Sequence, residues 1–159
     1  MKPVFSMRIL TQNVISGTIK VGQQTIAEIG KGLALFIGFC HDDDLRLIDR
    51  MIDKVLALRL FVDSSGKTNL SIQDIDGQLL VIPNFTLYGS VSGGRRPSFT
   101  EALGPETANM YFDYVMKVIK QKYSKVAFGR FGADMEISLV NDGPFSLFLD
   151  SKELFGSRK

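Results

Sequence analysis

The sequence is poor in the residues from which most catalytic and metal sites are built. It has one cysteine, Cys40, and one histidine, His41, in 159 residues. A single cysteine excludes an internal disulfide and a thiolate cage, and a lone histidine adds little to a metal site. The sequence also lacks a P-loop and a Gly-x-Gly-x-x-Gly string after a strand pattern. We therefore expect neither a metal nor a cofactor.

The same scarcity argues against a side-chain catalytic set. A Ser-His-Asp or Cys-His arrangement would depend wholly on His41, which we interpret as a strand-end residue. Cys40 has no base beside it in the sequence and is interpreted as a small core residue. Asp42, Asp43 and Asp44 are explained better as caps of a helix start than as a cation site, because consecutive carboxylates point in different directions.

Long apolar runs and a strong charge of one sign are also missing. The longest apolar run, Leu33 to Cys40, is too short for a membrane span, and residues 1–6 lack the apolar core of a signal peptide. We expect a cytoplasmic protein with no membrane partner. Because the formal net charge is only +2, a nucleic-acid contact would have to come from a local patch.

The composition that remains is that of one globular domain over residues 1–159. Hydrophobic residues make up 45% and charged residues 23% of the chain, which is ordinary for such a domain. Residues 7–21 with the turn Val21-Gly22-Gln23-Gln24 predict a pair of antiparallel strands. The near-continuous apolar run Leu33 to Phe39 predicts a central strand covered on both faces.

Two helices are predicted from apolar periodicity. The first follows the aspartates and runs from Leu45 to about Leu60, and the second begins at Pro105 and runs to about Lys122. Between them, Leu79 to Ile82 predicts a strand that Pro83 interrupts or ends, because proline offers no amide donor. Residues 63–67 predict a loop, and residues 89–97 a mobile surface loop.

The last third of the chain predicts two strands, Met135 to Leu139 and Phe145 to Leu149, with a turn at Asn141-Asp142-Gly143-Pro144 between them. The order is then strands, helix, strands, helix, strands. This order favours an α+β domain with a curved sheet.

Three strings are unusual but ambiguous on the residues alone. Asn84-Phe85-Thr86-Leu87-Tyr88 is either an ordinary strand bend or a place where a hydroxyl and main-chain amides face a ligand. The bond between Gly143 and Pro144 belongs either to a plain turn, which composition favours, or to a cis peptide. Arg95-Arg96 is either a solvated pair or a phosphate clamp.

Taken together, the strings resemble the D-aminoacyl-tRNA deacylase family over residues 7–151. The matching strings are Gly30-Lys31-Gly32-Leu33, Leu58-Arg59-Leu60-Phe61, Asn69-Leu70-Ser71, Phe85-Thr86-Leu87-Tyr88, Gly94-Arg95-Arg96-Pro97-Ser98-Phe99, Gly129-Arg130-Phe131-Gly132-Ala133-Asp134-Met135 and Val140-Asn141-Asp142-Gly143-Pro144. Any one of them is weak, but all of them in order are specific. The resemblance implies a single domain with a curved, barrel-like mixed sheet and two main helices packed against it.

The resemblance also implies a homodimer with two sites at its interface, each accepting the 3′-terminal adenosine of an aminoacyl-tRNA. A Gly-cis-Pro dipeptide from the partner subunit would screen the α-carbon of the amino acid. The implied site residues are Gly143, Pro144, Asn141, Pro83 and Ala102 for chirality and substrate binding, Asn84, Phe85 and Thr86 for catalysis, Phe131 and Met135 for adenine, and Arg95 or Arg96 for tRNA phosphate.

The chemistry of such a substrate fits a sequence without acid-base side chains. An aminoacyl ester is already activated, so positioned water and main-chain N–H groups that stabilise the oxyanion can suffice. We assign the oxyanion to the amides of Phe85 and Thr86 and an orienting role to the Thr86 hydroxyl. A direct nucleophilic role for Thr86 is less favoured because no base is evident.

Three departures from the family pattern bear on activity. Pro83 and Asn84 replace Ser-Gln, Asn13 replaces an arginine, and Ser146 replaces a threonine. The resemblance implies ester hydrolysis of D-aminoacyl-tRNA or glycyl-tRNA. A related animal group carries a proline at the same motif and has a trans Gly-Pro bond with relaxed chirality, so this chain either shares that relaxed selection or has reduced activity. The alternative is a tRNA-end binding protein that has lost catalysis. A synthetase editing module is disfavoured by the length of the chain.

Overall fold

A computed structural model describes residues 6–41 and 44–156 of the chain. In these ranges the chain forms a mixed α+β domain, as the sequence predicts. The strands are β1 (Met7–Val21), β2 (Gln24–Ile29), β3 (Gly32–Phe39), β4 (Phe61–Val62), β5 (Thr68–Leu70), β6 (Gln78–Pro83), β7 (Val126–Phe128) and β8 (Met135–Asp150). The helices are α1 (Leu45–Ala57), α2 (Pro105–Lys122) and α3 (Ser151–Phe155), and one 3₁₀ helix spans Phe85–Tyr88.

The main sheet is built around β1, which is 15 residues long. Strands follow the order β2-β1-β3-β6-β7, and β8 also pairs with β1. The first half of β1 pairs with β3 and the second half with β2, while β8 runs along its opposite edge. These three pairings are antiparallel, whereas β3-β6 and β6-β7 are parallel. The result is a nearly closed, barrel-like mixed sheet.

The predicted division of residues 135–149 into two strands is wrong. The pairs Val14↔Asn141 and Gln12↔Ser146 place both halves on the same strand, β1, and in the same direction. Residues 142–145 therefore stand opposite Asn13 alone, and they leave the ladder as a bulge instead of reversing the chain. By contrast, the predicted turn at residues 21–24 does join two antiparallel strands, β1 and β2.

The helices follow their predicted faces. Asp44 is the N-cap of α1, and its side chain accepts a hydrogen bond from the Arg46 amide. Hydrogen bonds from Arg46 hold the pKa of the Asp44 carboxyl below its ordinary value. The helix ends at Ala57, short of the predicted Leu60, because the next residues turn extended toward the β4-β5 hairpin. The predicted caps Asp42 and Asp43 lie outside the described residues, and α2 has the bounds that the sequence predicts.

Two apolar clusters cover the two faces of β3, as predicted for a central strand. Leu33, Leu35 and Ile37 lie in the larger cluster, which α1 and α2 complete. Ala34 belongs to a second cluster inside the curved sheet with Ile19 and other strand residues. Across the described parts of the chain, no helix is both long enough and apolar enough to span a membrane.

Candidate functional site

A cavity of about 430 Å³ opens where β6 ends. Its volume lies in the range of small-ligand sites. Its walls come from the end of β6, the 3₁₀ helix, the start of α2 and the segment before β8. The lining residues are Pro83, Asn84, Phe85, Leu103, Pro105, Ala108, Phe131, Gly132, Ala133 and Met135. Of the predicted site residues, the lining contains Pro83, Asn84 and Phe85 from one segment and Phe131 and Met135 from another, so the fold brings these two segments together.

The first wall is fixed to the centre of the sheet. Pro83 is the last residue of β6 and pairs with Ile37 on β3. The Asn84 amide then donates to the Ile37 carbonyl at 2.7 Å. A Cβ at Gly38 would lie 2.9 Å from the Asn84 carbonyl oxygen and 3.1 Å from the Leu87 Cβ. Glycine at position 38 therefore allows the chain after Pro83 to lie directly on the backbone of β3.

The 3₁₀ helix begins immediately after Asn84. Its first amides, on Phe85 and Thr86, have no acceptor within the helix because they precede its first turn. The Thr86 hydroxyl donates to the Asn84 side-chain oxygen at 2.6 Å. The hydroxyl is thus engaged inside its own turn, whereas the Phe85 amide, on a residue that lines the cavity, is a main-chain donor without an acceptor in the helix.

The opposite wall contains Phe131 and Met135, the two residues that the family resemblance assigns to binding of adenine. A Cβ at Gly129 would lie 2.9 Å from the Met135 sulfur and 3.2 Å from the Pro83 Cδ. The Gly129 amide donates to the Val81 carbonyl at 2.8 Å, which continues the β6-β7 pairing. Glycine at this position lets the two walls approach each other, and both walls are anchored on β6.

No titratable side chain is among the residues that line the cavity. His41 lies outside it, and its ring nitrogen contacts the Thr100 carbonyl. Among the described residues there is also no group of three or more potential metal ligands. The polar chemistry that this cavity offers is main-chain N–H and C=O with the amide of Asn84.

Ala102 and the two predicted arginines do not line the cavity. Ala102 forms an isolated bridge with Cys40, and the next residue, Leu103, reaches the lining. Arg95 and Arg96 lie on an exposed loop closed at its base by two hydrogen bonds between Ser90 and Ser98. The loop is on the surface, as predicted. Just beyond it, the Phe99 ring packs 5.3 Å from the Phe85 ring.

Asn141, Gly143 and Pro144 also lie outside this cavity, on the exposed β8 bulge. The Gly143-Pro144 peptide is cis, and Gly143 has a φ of 136°. The plain turn that composition favours is therefore wrong, and the trans bond of the related animal group is not present. Asn13, opposite the bulge, is 7% exposed, and its side chain donates to the Leu60 carbonyl at 2.7 Å. Its amide group thus turns to Leu60, on the chain that leaves α1.

Sequence reasoning missed Arg8. Its guanidinium donates to the Asp150 carboxylate at 3.0 Å and to the Leu87 carbonyl at 2.8 Å. It also lies 4.4 Å from the centre of the Tyr88 ring. Arg8 therefore connects β1, the end of β8 and the 3₁₀ helix. No local pattern reveals this role, because its partners are 79 and 142 positions away in the sequence.

Comparison with known proteins gives a consistent result. A family model described as D-Tyr-tRNA(Tyr) deacylase matches residues 10–150. A D-aminoacyl-tRNA deacylase of Clostridioides difficile is 46% identical over 149 residues, which are 94% of this chain and 100% of that protein. A protein of the same name from Thermotoga petrophila is 42% identical with the same coverage.

Two solved structures share the fold. A c-Myc DNA unwinding element binding protein has a TM-score of 0.85 and 30% identity, with 89% of this chain and 97% of that chain covered. A probable eukaryotic D-amino acid tRNA deacylase has a TM-score of 0.81 at 16% identity, with 91% and 99% covered, and shows the likeness of fold alone.

Proposed function

The chain belongs to the D-Tyr-tRNA(Tyr) deacylase family, and from this premise we propose that it hydrolyses the ester of D-aminoacyl-tRNA with a site made of main-chain groups. The observation that carries the site is the cavity itself. Its lining includes no titratable side chain, but it does include Phe85, the first residue of the 3₁₀ helix, which Thr86 directly follows. A substrate made by aminoacylation of tRNA also favours a cytoplasmic location.

The proposed reaction needs no histidine. Water attacks the carbonyl carbon of the ester, and the developing oxyanion accepts hydrogen bonds from the Phe85 and Thr86 amides. The bond between that carbon and the ribose oxygen then breaks, and the ribose oxygen takes a proton that the water releases. The products are the free D-amino acid and tRNA. A neighbouring ribose hydroxyl of the bound adenosine, held beside Phe131 and Met135, assists the transfer.

Selection between D- and L-residues is assigned to the β8 bulge of a second copy of the chain. The bulge lies away from the cavity of its own chain and exposes Gly143 and Pro144. Large apolar side chains around it are also half exposed, with Val140 at 53% and Phe148 at 52%. Exposed apolar groups of this kind mark a surface that another molecule covers. A homodimer would insert each bulge into the opposite cavity.

A main-chain wall beside the α-carbon rejects an L side chain by contact but has nothing to reject in glycine, which has no side chain. Incubation with D-tyrosyl-tRNA, L-tyrosyl-tRNA and glycyl-tRNA tests this selection. We expect release of D-tyrosine and glycine, with L-tyrosyl-tRNA decaying at the rate seen without protein. Absence of turnover for all three substrates would overturn the enzymatic proposal.

The shared site is tested by mixing two inactive variants. Gly143→Val damages the bulge, and Phe85→Pro removes an amide donor from the cavity. In a heterodimer of the two, one site carries both changes and the other carries neither. Random mixing should therefore restore about a quarter of wild-type activity, because about half of the dimers are mixed. No recovery, or a stable monomer in sedimentation experiments, would contradict the dimer.

A second candidate is binding of a nucleic-acid end without turnover. It is favoured by Pro83, which has neither an amide donor nor a hydroxyl where the family has serine. The name of a relative with 30% identity, a DNA unwinding element binding protein, points the same way. Tight binding of D-aminoacyl-tRNA with an unchanged ester half-life would support this candidate over hydrolysis.

A further inference from the structure

A second cavity, of about 320 Å³, lies along α2 beside the first. Phe131 lines both cavities, so one ring separates them. The first turn of α2 contributes Pro105 and Ala108 to the first cavity, and the following turns contribute Asn109 and Asp113 to the second. A path along α2 thus continues directly from the proposed adenosine site into a second recess, which we call the α2 groove.

We propose that the α2 groove binds the penultimate nucleotide of the tRNA 3′ end, an inference that rests on the proposed function. Two half-buried aromatic rings, Phe128 and Phe131, lie among its mostly polar surface, and the buried Phe112 ring packs 6.4 Å from the Phe131 ring. Unstacked bases bind such rings in single-stranded RNA.

Polar groups at the groove select the kind of base. Asn109 and Asp113 are four residues apart on α2, so their side chains lie on one face of the helix. Within the described residues, neither side chain has a hydrogen-bond partner or an ion pair. A carboxylate accepts from the exocyclic amine of cytosine. The cytidine that precedes the terminal adenosine of tRNA therefore fits Asp113 better than uridine does.

Two cationic side chains lie at or near the groove. Arg130 immediately precedes Phe131 and lines the groove, and its guanidinium forms no ion pair with a described residue. Lys120 is not a lining residue, but its ammonium nitrogen lies 5.4 Å from the centre of the ring of Phe128, which does line the groove. The phosphate that links two nucleotides bound on either side of Phe131 falls beside Arg130. Arginine is well suited to hold it.

The test compares two substrates that differ only in the nucleotides before the terminal adenosine. D-Tyrosyl-tRNA occupies both cavities, whereas D-tyrosyl-adenosine reaches only the first. Arg130→Ala and Asp113→Asn should each lower kcat/KM for D-tyrosyl-tRNA by about tenfold and leave kcat/KM for D-tyrosyl-adenosine unchanged. Lys67→Ala, on the exposed loop between β4 and β5, is the control and should change neither value.

A tRNA with uridine in place of the penultimate cytidine sharpens the test. Wild-type protein should lose about tenfold in kcat/KM on this substrate, whereas Asp113→Asn should treat both tRNAs alike. Equal losses on D-tyrosyl-tRNA and D-tyrosyl-adenosine, or no loss on either, would overturn the groove proposal. If wild-type protein hydrolyses neither substrate, the proposed function fails instead, so the two failures are distinguishable.

Discussion

The chain from Asn84 to Gly89 and the bulge at residues 142–145 are both irregular segments next to β-strands, but they are held differently. The first is tied to β3 by the Asn84 amide, lies on Gly38 and receives Arg8 at its Leu87 carbonyl. The second leaves its ladder and exposes Gly143 and Pro144. The first segment is held by contacts within the fold, whereas the second is exposed, as the proposed insertion into a second copy requires.

The proposed site therefore has two parts, and we expect substitutions in the two parts to affect folding and hydrolysis differently. Substitutions that disturb the turn at residues 84–89 should lower both the stability of the core and the rate of hydrolysis. Substitutions in the bulge should lower only the rate of hydrolysis, because the β8 residues that flank the bulge keep their partners on β1. Variants whose stability and turnover are both measured test this difference.

Gly143→Val should have the largest effect, reducing D-aminoacyl-tRNA hydrolysis to background. A Cβ at this position would lie 2.6 Å from the Phe145 amide nitrogen, and the φ of 136° is one that L side chains rarely adopt. The bulge must then change shape. Urea denaturation should show a loss of only about 1 kcal/mol in the free energy of unfolding, because the bulge lies outside the core. Retained activity would show that the bulge takes no part.

Phe85→Pro should lower kcat by about a hundredfold. Proline at the first position of a helix keeps the backbone shape and removes the N–H donor. Since the ring is lost as well, Phe85→Ala is the matched control and should retain most of the activity. Single-turnover hydrolysis measures both. Similar losses in the two variants would show that the aromatic ring, and not the amide, is what turnover needs.

Gly38→Ala should lower kcat/KM about tenfold and destabilise the protein by about 1–3 kcal/mol. The added methyl group would lie 2.9 Å from the Asn84 carbonyl oxygen and would push the 3₁₀ helix off β3. Gly93→Ala provides the control, since an added Cβ there meets nothing within 4 Å. Urea denaturation and steady-state kinetics should show losses in the first variant only. A Gly38→Ala protein that is stable but inactive would show that the turn affects hydrolysis without affecting the core. That result would contradict the expected coupling of the turn to the core.

Thr86→Ala should have the smallest effect, a loss of less than about tenfold in kcat. Its hydroxyl donates to Asn84 and orients that side chain, while the amide at position 86 remains. Thr86→Ser should restore the wild-type rate. A loss as large as that of Phe85→Pro would instead assign the hydroxyl a direct part in the chemistry.

The sequence predicts the fold best where one element determines its own shape. The bounds of α2 follow from Pro105 and its apolar face, and β3 follows from one continuous apolar run. Prediction fails where pairing with a strand that is distant in the sequence determines the local structure. Residues 142–145 have the composition of a turn, but pairing of both flanks with β1 makes them a bulge. Similarly, α1 ends early because the following chain joins a hairpin.

The residues of the candidate site also differ in how well the sequence predicts their positions. Pro83, Phe85, Phe131 and Met135 come from recognisable strings and share one cavity. Arg95 and Arg96 come from an equally recognisable string but do not line the cavity, and neither does Ala102, since a motif preserves order and not distance. Arg8 escapes prediction altogether, because its contacts with Leu87 and Asp150 exist only after the sheet has closed.

The bulge is attached to β1 at two points, Gln12 and Val14, which are about 7 Å apart along the strand. This spacing is set by the partner strand and not by the residues in between. Insertion or deletion of a residue among positions 142–145 would lengthen or shorten the projection while both flanking ladders kept their register. The length of the projection can therefore vary in evolution or by design without rebuilding the scaffold that carries it.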